Sequence, residues 1–232
     1  MTDDDFATYD FAGRFESEKR PPCQLYLISP NVLDDGFSAR LEAALAAGGI
    51  AAFQLRLKGQ SDEAIISAAA PLQAICTAHD VAFILNDNAV LAKQIGADGV
   101  HLGQSDGSVA DARALLGREA QIGVTCHDSR HLAMEAGEAG VDYVAFGAFY
   151  PTTTKDTIHR PDPGIIGWWV TLFGTPCVAI GGITPENAAP LVAAGADFIA
   201  VSGAVWAADD PAAAVRAFGA VMRQAPLPSG RG

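Results

Sequence analysis

Short apolar runs recur along this chain in a repeated phrase. Ala47-Gly-Gly-Ile50 leads into Ala52-Phe-Gln-Leu55, Ile95-Gly-Ala-Asp98 into Gly99-Val-His-Leu102, Ala139-Gly-Val-Asp142 into Tyr143-Val-Ala-Phe146, and Ala194-Gly-Ala-Asp197 into Phe198-Ile-Ala-Val201. Each phrase reads as a helix closed by a glycine, which accepts the left-handed cap conformation, followed by a short strand. The glycines stand at positions 48, 96, 140 and 195. One βα unit takes roughly 25 residues, so each interval holds two. Gln24-Leu-Tyr-Leu-Ile-Ser29, Val81-Ala-Phe-Ile-Leu85, Ala120-Gln-Ile-Gly-Val124 and Pro176-Cys-Val-Ala-Ile180 supply the intervening strands. They are apolar with little alternation, the pattern of parallel strands covered on both faces. The stretches between are alanine-rich and amphipathic. Ser61-Asp62-Glu63 opens one helix, and Thr184-Pro185-Glu186 opens another with proline at the first helical position. Eight strands alternating with helices in roughly 200 residues predict a single (β/α)8 barrel. The alternative, a doubly wound open sheet, carries a glycine-rich turn after its first strand, and Ser29-Pro30-Asn31 is not one.

Composition narrows the class. The 232 residues are 50% hydrophobic, enough for one sizeable core and incompatible with a disordered chain. Residues 1–22 read as an N-terminal extension, 23–222 as the barrel and 223–232 as a C-terminal tail, because both ends are polar and rich in proline or glycine. No apolar run reaches the roughly 20 residues that span a bilayer. A net charge of -12 argues against a nucleic-acid binder. Cys23, Cys76, Cys126 and Cys177 are scattered without ligand spacing, as in a reduced cytoplasmic protein. The acidic start (Asp3, Asp4, Asp5) is unlike a secretory signal.

In a barrel of this kind chemistry belongs to the loops after the strands, and residues before the strands serve stability. Asp98, Asp142 and Asp197 precede strands and are assigned to stability. After the second strand, alternation puts Gln54, Arg56 and Lys58 on one side, two cations and an amide suited to a phosphate or diphosphate. Asn86-Asp87 follows the third strand and His101-Leu-Gly-Gln-Ser-Asp106 the fourth. Asp87 and Asp106 at neighbouring strand ends suit a shared Mg2+ or Mn2+, whereas either alone suits a helix cap. Thr125-Cys126-His127-Asp128 follows the fifth strand; Asp128 reads as a helix cap, His127 as an acid/base candidate or a packing residue, and Cys126 as an apolar filler. Tyr150-Pro-Thr152-Thr153-Thr154-Lys155 offers three hydroxyls and an ammonium for a second anion. Two of the chain's four lysines, Lys58 and Lys155, fall at such strand ends in an otherwise acidic protein. The turns Gly181-Gly182 and Ser202-Gly203 after the last two strands let backbone N–H groups approach a phosphate. Two anion sites and a metal in one mouth point to joining or exchanging two phosphorylated small molecules.

Five motifs in one order then resemble the thiamine phosphate synthase family: Gln-x-Arg-x-Lys at 54–58, Asn86-Asp87, Asp98-Gly-Val-His-Leu-Gly-Gln104 with Asp106, Pro151-Thr-x-Thr-Lys155, and Ile180-Gly-Gly182. The resemblance covers about residues 24–220. It implies coupling of hydroxymethylpyrimidine diphosphate to thiazole phosphate, with loss of pyrophosphate through a dissociative step. It further implies that Gln54, Arg56, Lys58, Asn86, Thr125 and Lys155 hold the pyrimidine diphosphate, with Arg56, Lys58 and Lys155 neutralising the leaving group. By the same likeness Asp87 and Asp106 bind Mg2+ (or Mn2+), while Thr152, Thr153, Thr154, Gly182, Ser202 and Gly203 meet the thiazole phosphate. A homodimer in the cytoplasm is the family expectation.

The chain departs from the family pattern in three places. Thr125 stands where serine is common. Ser202-Gly203-Ala204 sets the serine one place back, leaving that phosphate contact to backbone. The stretch from Thr157 through Arg160 to Trp168-Trp169 replaces the usual helix entry, with Arg160 either an added anion contact or a surface residue. The alternatives are a thiazole tautomerase of the same family, with His127 at its histidine position, and a non-catalytic thiamine phosphate binder.

Overall fold

The computed structural model describes residues 21–152 and 158–224. Thr153, Thr154 and Lys155 lie outside the described residues, as do the two termini beyond those limits. Eight parallel strands close into a barrel in sequence order: β1 (Gln24–Ile28), β2 (Ile50–Leu55), β3 (Ala82–Asn86), β4 (Gly99–Leu102), β5 (Gln121–His127), β6 (Tyr143–Gly147), β7 (Cys177–Ile180) and β8 (Phe198–Val201). Between them run α1 (Phe37–Ala46), α2 (Asp62–Ala78), α3 (Ala89–Ile95), α4 (Val109–Leu116), α5 (Arg130–Glu138), α6 (Gly164–Leu172) and α7 (Ala189–Ala193). A short α8 (Gly203–Trp206) and a longer α9 (Pro211–Gln224) follow β8. The (β/α)8 barrel expected from the repeat is the fold observed.

The local devices are those the sequence announces. Gly48, Gly96, Gly140 and Gly195 all have positive φ, from 67° to 100°, so the recurring glycine serves to turn the chain from helix into strand. Ser61 caps α2, accepting from the Ala64 N–H at 3.3 Å, with Asp62 and Glu63 in the first turn facing the helix dipole. Asn88, Ser108 and Ser129 cap the helices after β3, β4 and β5 in the same way. Two local expectations change. Ser129, not Asp128, caps α5. At 184–187 the chain forms a turn closed by Asn187, whose Oδ1 accepts the Thr184 N–H at 2.8 Å, and α7 begins only at Ala189. The side-chain acceptor of Asn187 holds the Pro185 segment as a turn.

Burial divides the apolar residues into two layers. The larger packs the outward strand faces against the helices through Leu25, Leu27, Phe53, Leu85, Val144 and Trp169. The smaller fills the barrel interior with Tyr26, Ile28, Ala52, Ile84, Tyr143, Ala145, Val178 and Ala200. Neighbouring positions of one strand fall in different layers, as period-two alternation requires. Interior packing fixes Gly123: a β-carbon there would lie 1.9 Å from the Tyr143 ring.

At the lower end of the barrel the three aspartates act alike. Asp98 donates its N–H to the Phe83 carbonyl (2.9 Å) and accepts the Phe83 N–H on Oδ2 (2.7 Å). Asp142 brackets Ile122 (2.8 and 2.6 Å) and Asp197 brackets Cys177 (3.1 and 2.8 Å). Each carboxylate thereby accepts an N–H at the start of the preceding, odd-numbered strand. Asp98→Ala leaves the Phe83 N–H unpaired and is expected to cost about 1.5–3 kcal/mol, read from denaturant unfolding. A loss below about 0.5 kcal/mol would mean that water replaces the carboxylate.

Candidate active site

The polar strand ends meet at the opposite rim. β2 carries Gln54 inward, where it is 2% exposed, and its Nε2 donates to Asn86 Oδ1 on β3 at 3.0 Å. β2 ends at Leu55 and the chain turns at Lys58–Gly59, and Arg56 and Lys58 border one cleft. Lys58 Nζ reaches Asp87 Oδ2 at 2.8 Å. Burial pulls the Arg56 guanidinium below its usual pKa, and the nearby Asp87 charge opposes that shift. These are the conditions in which a cation gains from an incoming polyanion.

Asp87 is held in an unusual backbone conformation, with φ at +66°, and its N–H donates to the His101 carbonyl of β4 at 2.8 Å. Its carboxyl pKa is raised, first by burial. The Lys58 hydrogen bond pulls it down, and the adjacent Asp106 pushes it up through a hydrogen bond and its charge. Asp106 is itself fixed by the Gly103 N–H, which donates to Oδ2 at 2.8 Å. A β-carbon at Gly103 would come within 2.6 Å of that oxygen, so a side chain there would displace the Asp106 carboxylate. Two carboxyl groups pressed together beside a cation form an oxygen donor set for a hard divalent ion. Among the described residues no group of three or more His, Cys, Asp or Glu side chains assembles a metal cage. Mg2+ takes few protein ligands and completes its shell with water and phosphate oxygens, and two carboxylates are a donor set of that chemistry. Asp87, Asp106 and Ser108 border a hollow of about 370 Å3.

A hydrogen-bonded chain rises through the barrel to this rim. Tyr26 and Tyr143 share a hydrogen bond between hydroxyls (2.9 Å), Tyr143 Oη contacts His101 Nδ1 (3.1 Å), and His101 Nε2 contacts Thr125 Oγ1 (2.8 Å). Burial drives the pKa of both tyrosines upward, so both remain phenols. Gln104 Nε2 donates to the Thr125 carbonyl at 2.6 Å. Thr125, expected after β5, lies within that strand, which continues through a bulge to His127. Cys126 is buried and its thiol is pushed up to about 12, so it is an apolar filler. Tyr26 and Tyr143 escaped the sequence reading because it treated both strands as plain core. Inward alternation with Ile28 and Ala145 was the available signal.

The residues expected at the second anion site lie where two loops approach closely. Gly181 and Gly182 have φ of 102° and 64°. A β-carbon at Gly182 would meet the Pro151 carbonyl at 2.2 Å, and one at Gly181 would meet the Ala148 side chain at the same distance. Tyr150 donates its N–H to the Gly181 carbonyl at 3.0 Å. The glycine pair thus clasps the segment that leads into Thr152. Ser202 Oγ donates to the Ser29 carbonyl at 3.4 Å, so its hydroxyl is turned toward β1 and the Gly203 backbone faces a cleft of about 530 Å3, bordered also by Asn31, Arg56, Lys58 and Trp206.

His127, with φ at +56°, stacks on His159 at 4.5 Å between ring centroids, and His159 Nδ1 pairs with Asp128 Oδ1 at 2.7 Å. The structure thus joins His127 and Asp128 to the segment after 157. Arg160 is exposed, its Nη1 donating to the His159 carbonyl at 2.8 Å, as befits the surface reading. No helix among the described residues is long and apolar enough to cross a membrane.

Comparison with known proteins accords with this rim. Residues 25–205 match the family described as thiamine monophosphate synthase. The thiamine-phosphate synthase of Erythrobacter litoralis is 61% identical over 206 residues, covering 87% of this chain and 96% of the relative. That of Rhodospirillum centenum is 57% identical over 203 residues, covering 87% and 98%. Among solved structures, a thiamine phosphate pyrophosphorylase from Pyrococcus furiosus superposes with a TM-score of 0.78 at 28% identity, covering 87% of this chain and 96% of its own. The family match takes in all eight strands apart from Gln24, reaching from one lip of the mouth round to the other, and the chain belongs to the thiamine monophosphate synthase family.

Proposed function

We propose that this chain couples hydroxymethylpyrimidine diphosphate to thiazole phosphate, giving thiamine phosphate and pyrophosphate. The observation that carries the reading is the gathering of two anion-binding sets in one mouth: Arg56 and Lys58 beside the Asp87–Asp106 pair, and the Ser202–Gly203 turn on the cleft those two cations border, with the Gly182 turn after β7. Loss of pyrophosphate from the pyrimidine diphosphate, to give a pyrimidine-stabilised cation that the thiazole nitrogen captures, needs charge neutralisation and an aligned nucleophile; it does not need a strong general base. Arg56 and Lys58 supply the first from the described residues, and Lys155 adds a third cation by its place in the sequence. Asp87 and Asp106 would hold Mg2+ (or Mn2+), which would supply further neutralisation of the leaving diphosphate. Gln54 and Asn86, already paired, present an amide edge to the pyrimidine, and Thr125, oriented by His101, presents a hydroxyl to the diphosphate. The N–H groups of Gly182 and Gly203, with Thr152, Thr153 and Thr154, hold the thiazole phosphate so that its ring nitrogen faces the cation.

The test is pyrophosphate release with both substrates and Mg2+. Release that requires each component, with thiamine phosphate formed, is the expected result. No release despite tight binding of thiazole phosphate would replace the synthase reading with a tautomerase or a binder.

A further inference from the structure

Where β1 and β2 separate, their pairing passes from backbone to side chains. Ser29 donates its N–H to the Gln54 carbonyl at 2.9 Å. A regular parallel ladder would next send the Arg56 N–H to the Ser29 carbonyl. Instead the Arg56 N–H donates to Ser29 Oγ at 2.9 Å, and Ser29 Oγ lies 3.4 Å from the Arg56 carbonyl. Two residues on, the Lys58 N–H donates to Asn31 Oδ1 at 2.7 Å, and Asn31 Nδ2 donates to the Lys58 carbonyl at 3.2 Å. The side chains extend the ladder by one full period, with the amide of Asn31 imitating a peptide group. The end of β1 is anchored in turn from the β8 side: Trp206 Nε1 donates to the Ile28 carbonyl at 2.6 Å and Ser202 Oγ to that of Ser29.

We propose that Ser29 and Asn31 are positioning residues for the diphosphate, acting by holding the Arg56 and Lys58 peptide groups so that both cations border the mouth. Neither side chain has to touch substrate. Ser29 is 1% exposed, and Asn31, which is exposed on the rim of the cleft, commits one donor and one acceptor of its amide to the Lys58 peptide group. Without these bonds the 56–58 segment is a free loop, and a displacement of about 1 Å at a charged group costs one to two orders of magnitude in rate. The inference rests on the reading that Arg56 and Lys58 hold the diphosphate.

The experiment measures binding of inorganic pyrophosphate with Mg2+ by calorimetry, together with kcat and both KM values. Asn31→Ala is expected to weaken pyrophosphate binding roughly tenfold and raise KM for the pyrimidine diphosphate comparably, with KM for thiazole phosphate unchanged. Ser29→Ala should do the same and Ser29→Thr restore binding. Because Asn31 acts through Lys58, adding Asn31→Ala to Lys58→Ala should cost nothing further. Wild-type pyrophosphate binding in Asn31→Ala, or an undiminished loss in the Lys58→Ala background, would overturn the proposal even if Ser29→Ala fails to fold. Arg56→Ala and Lys58→Ala are the controls. If both bind pyrophosphate normally, the reading of the diphosphate site fails and this inference falls with it.

Discussion

Replacing Asp87 with glycine is expected to lower turnover roughly 100- to 1,000-fold while raising the stability of the folded chain by up to about 1 kcal/mol. The two effects have separate causes at one residue. The carboxyl group is forced beside Asp106 and is partly buried, an arrangement favourable only when cations neutralise it. The backbone sits at φ +66°, which glycine adopts without the steric cost an L-residue meets. The Lys58 partner is partly exposed, so losing that ion pair takes little away. Asp87→Asn keeps a residue tolerant of this backbone and removes only the charge. It should match the glycine variant in lost turnover and the wild type in stability. Steady-state kinetics at saturating substrates and thermal unfolding of both variants decide the matter. Wild-type turnover in Asp87→Asn would remove the carboxylate from the reaction.

Gly123→Ala is expected to destabilise the barrel by about 3 kcal/mol or more. No backbone penalty is involved, since Gly123 is absent from the glycines of positive φ. The cost is steric: the new carbon would stand 1.9 Å from Tyr143 Cζ. That ring cannot swing aside cheaply, because its hydroxyl is tied to Tyr26 and His101 and its face is stacked on the His101 imidazole at 5.7 Å. Adding Tyr143→Leu should recover much of the loss, which would show that the ring is the obstacle. Denaturant unfolding of the single and double variants reads this directly. Stability within about 1 kcal/mol of wild type in Gly123→Ala would mean that the interior yields more than its packing suggests.

The barrel was legible because its repeat is carried by local chemistry. A left-handed glycine followed by a short, mainly apolar run, with an aspartate between them in three of the four phrases, marks an element junction whatever lies elsewhere in the chain. The mouth was legible where charge is rare: Arg56, Lys58, Asp87 and Asp106 stand out against apolar strands, and the fold rule places them together. What escaped depends on partners far away in sequence. Ser29 and Asn31 look like ordinary turn residues beside Pro30, and only the approach of 56–58 gives their side chains a task. Tyr26 and Tyr143 meet across 117 residues. Asp128 was taken as a cap because a competing serine one position later offers the same geometry, and His159, which claims it, is 31 residues away. Thr153, Thr154 and Lys155 rest on the motif alone.

The aspartates beneath the barrel bear on how such a chain changes over time. Asp98, Asp142 and Asp197 mark the starts of even-numbered strands and join each to the strand before it. They act as a phase marker, numbering the strands from below without reference to anything at the rim. Assembly instructions and chemical instructions are therefore written at opposite ends of the same short strands. Substitutions among the strand ends above can alter what the mouth accepts while the frame beneath keeps its count.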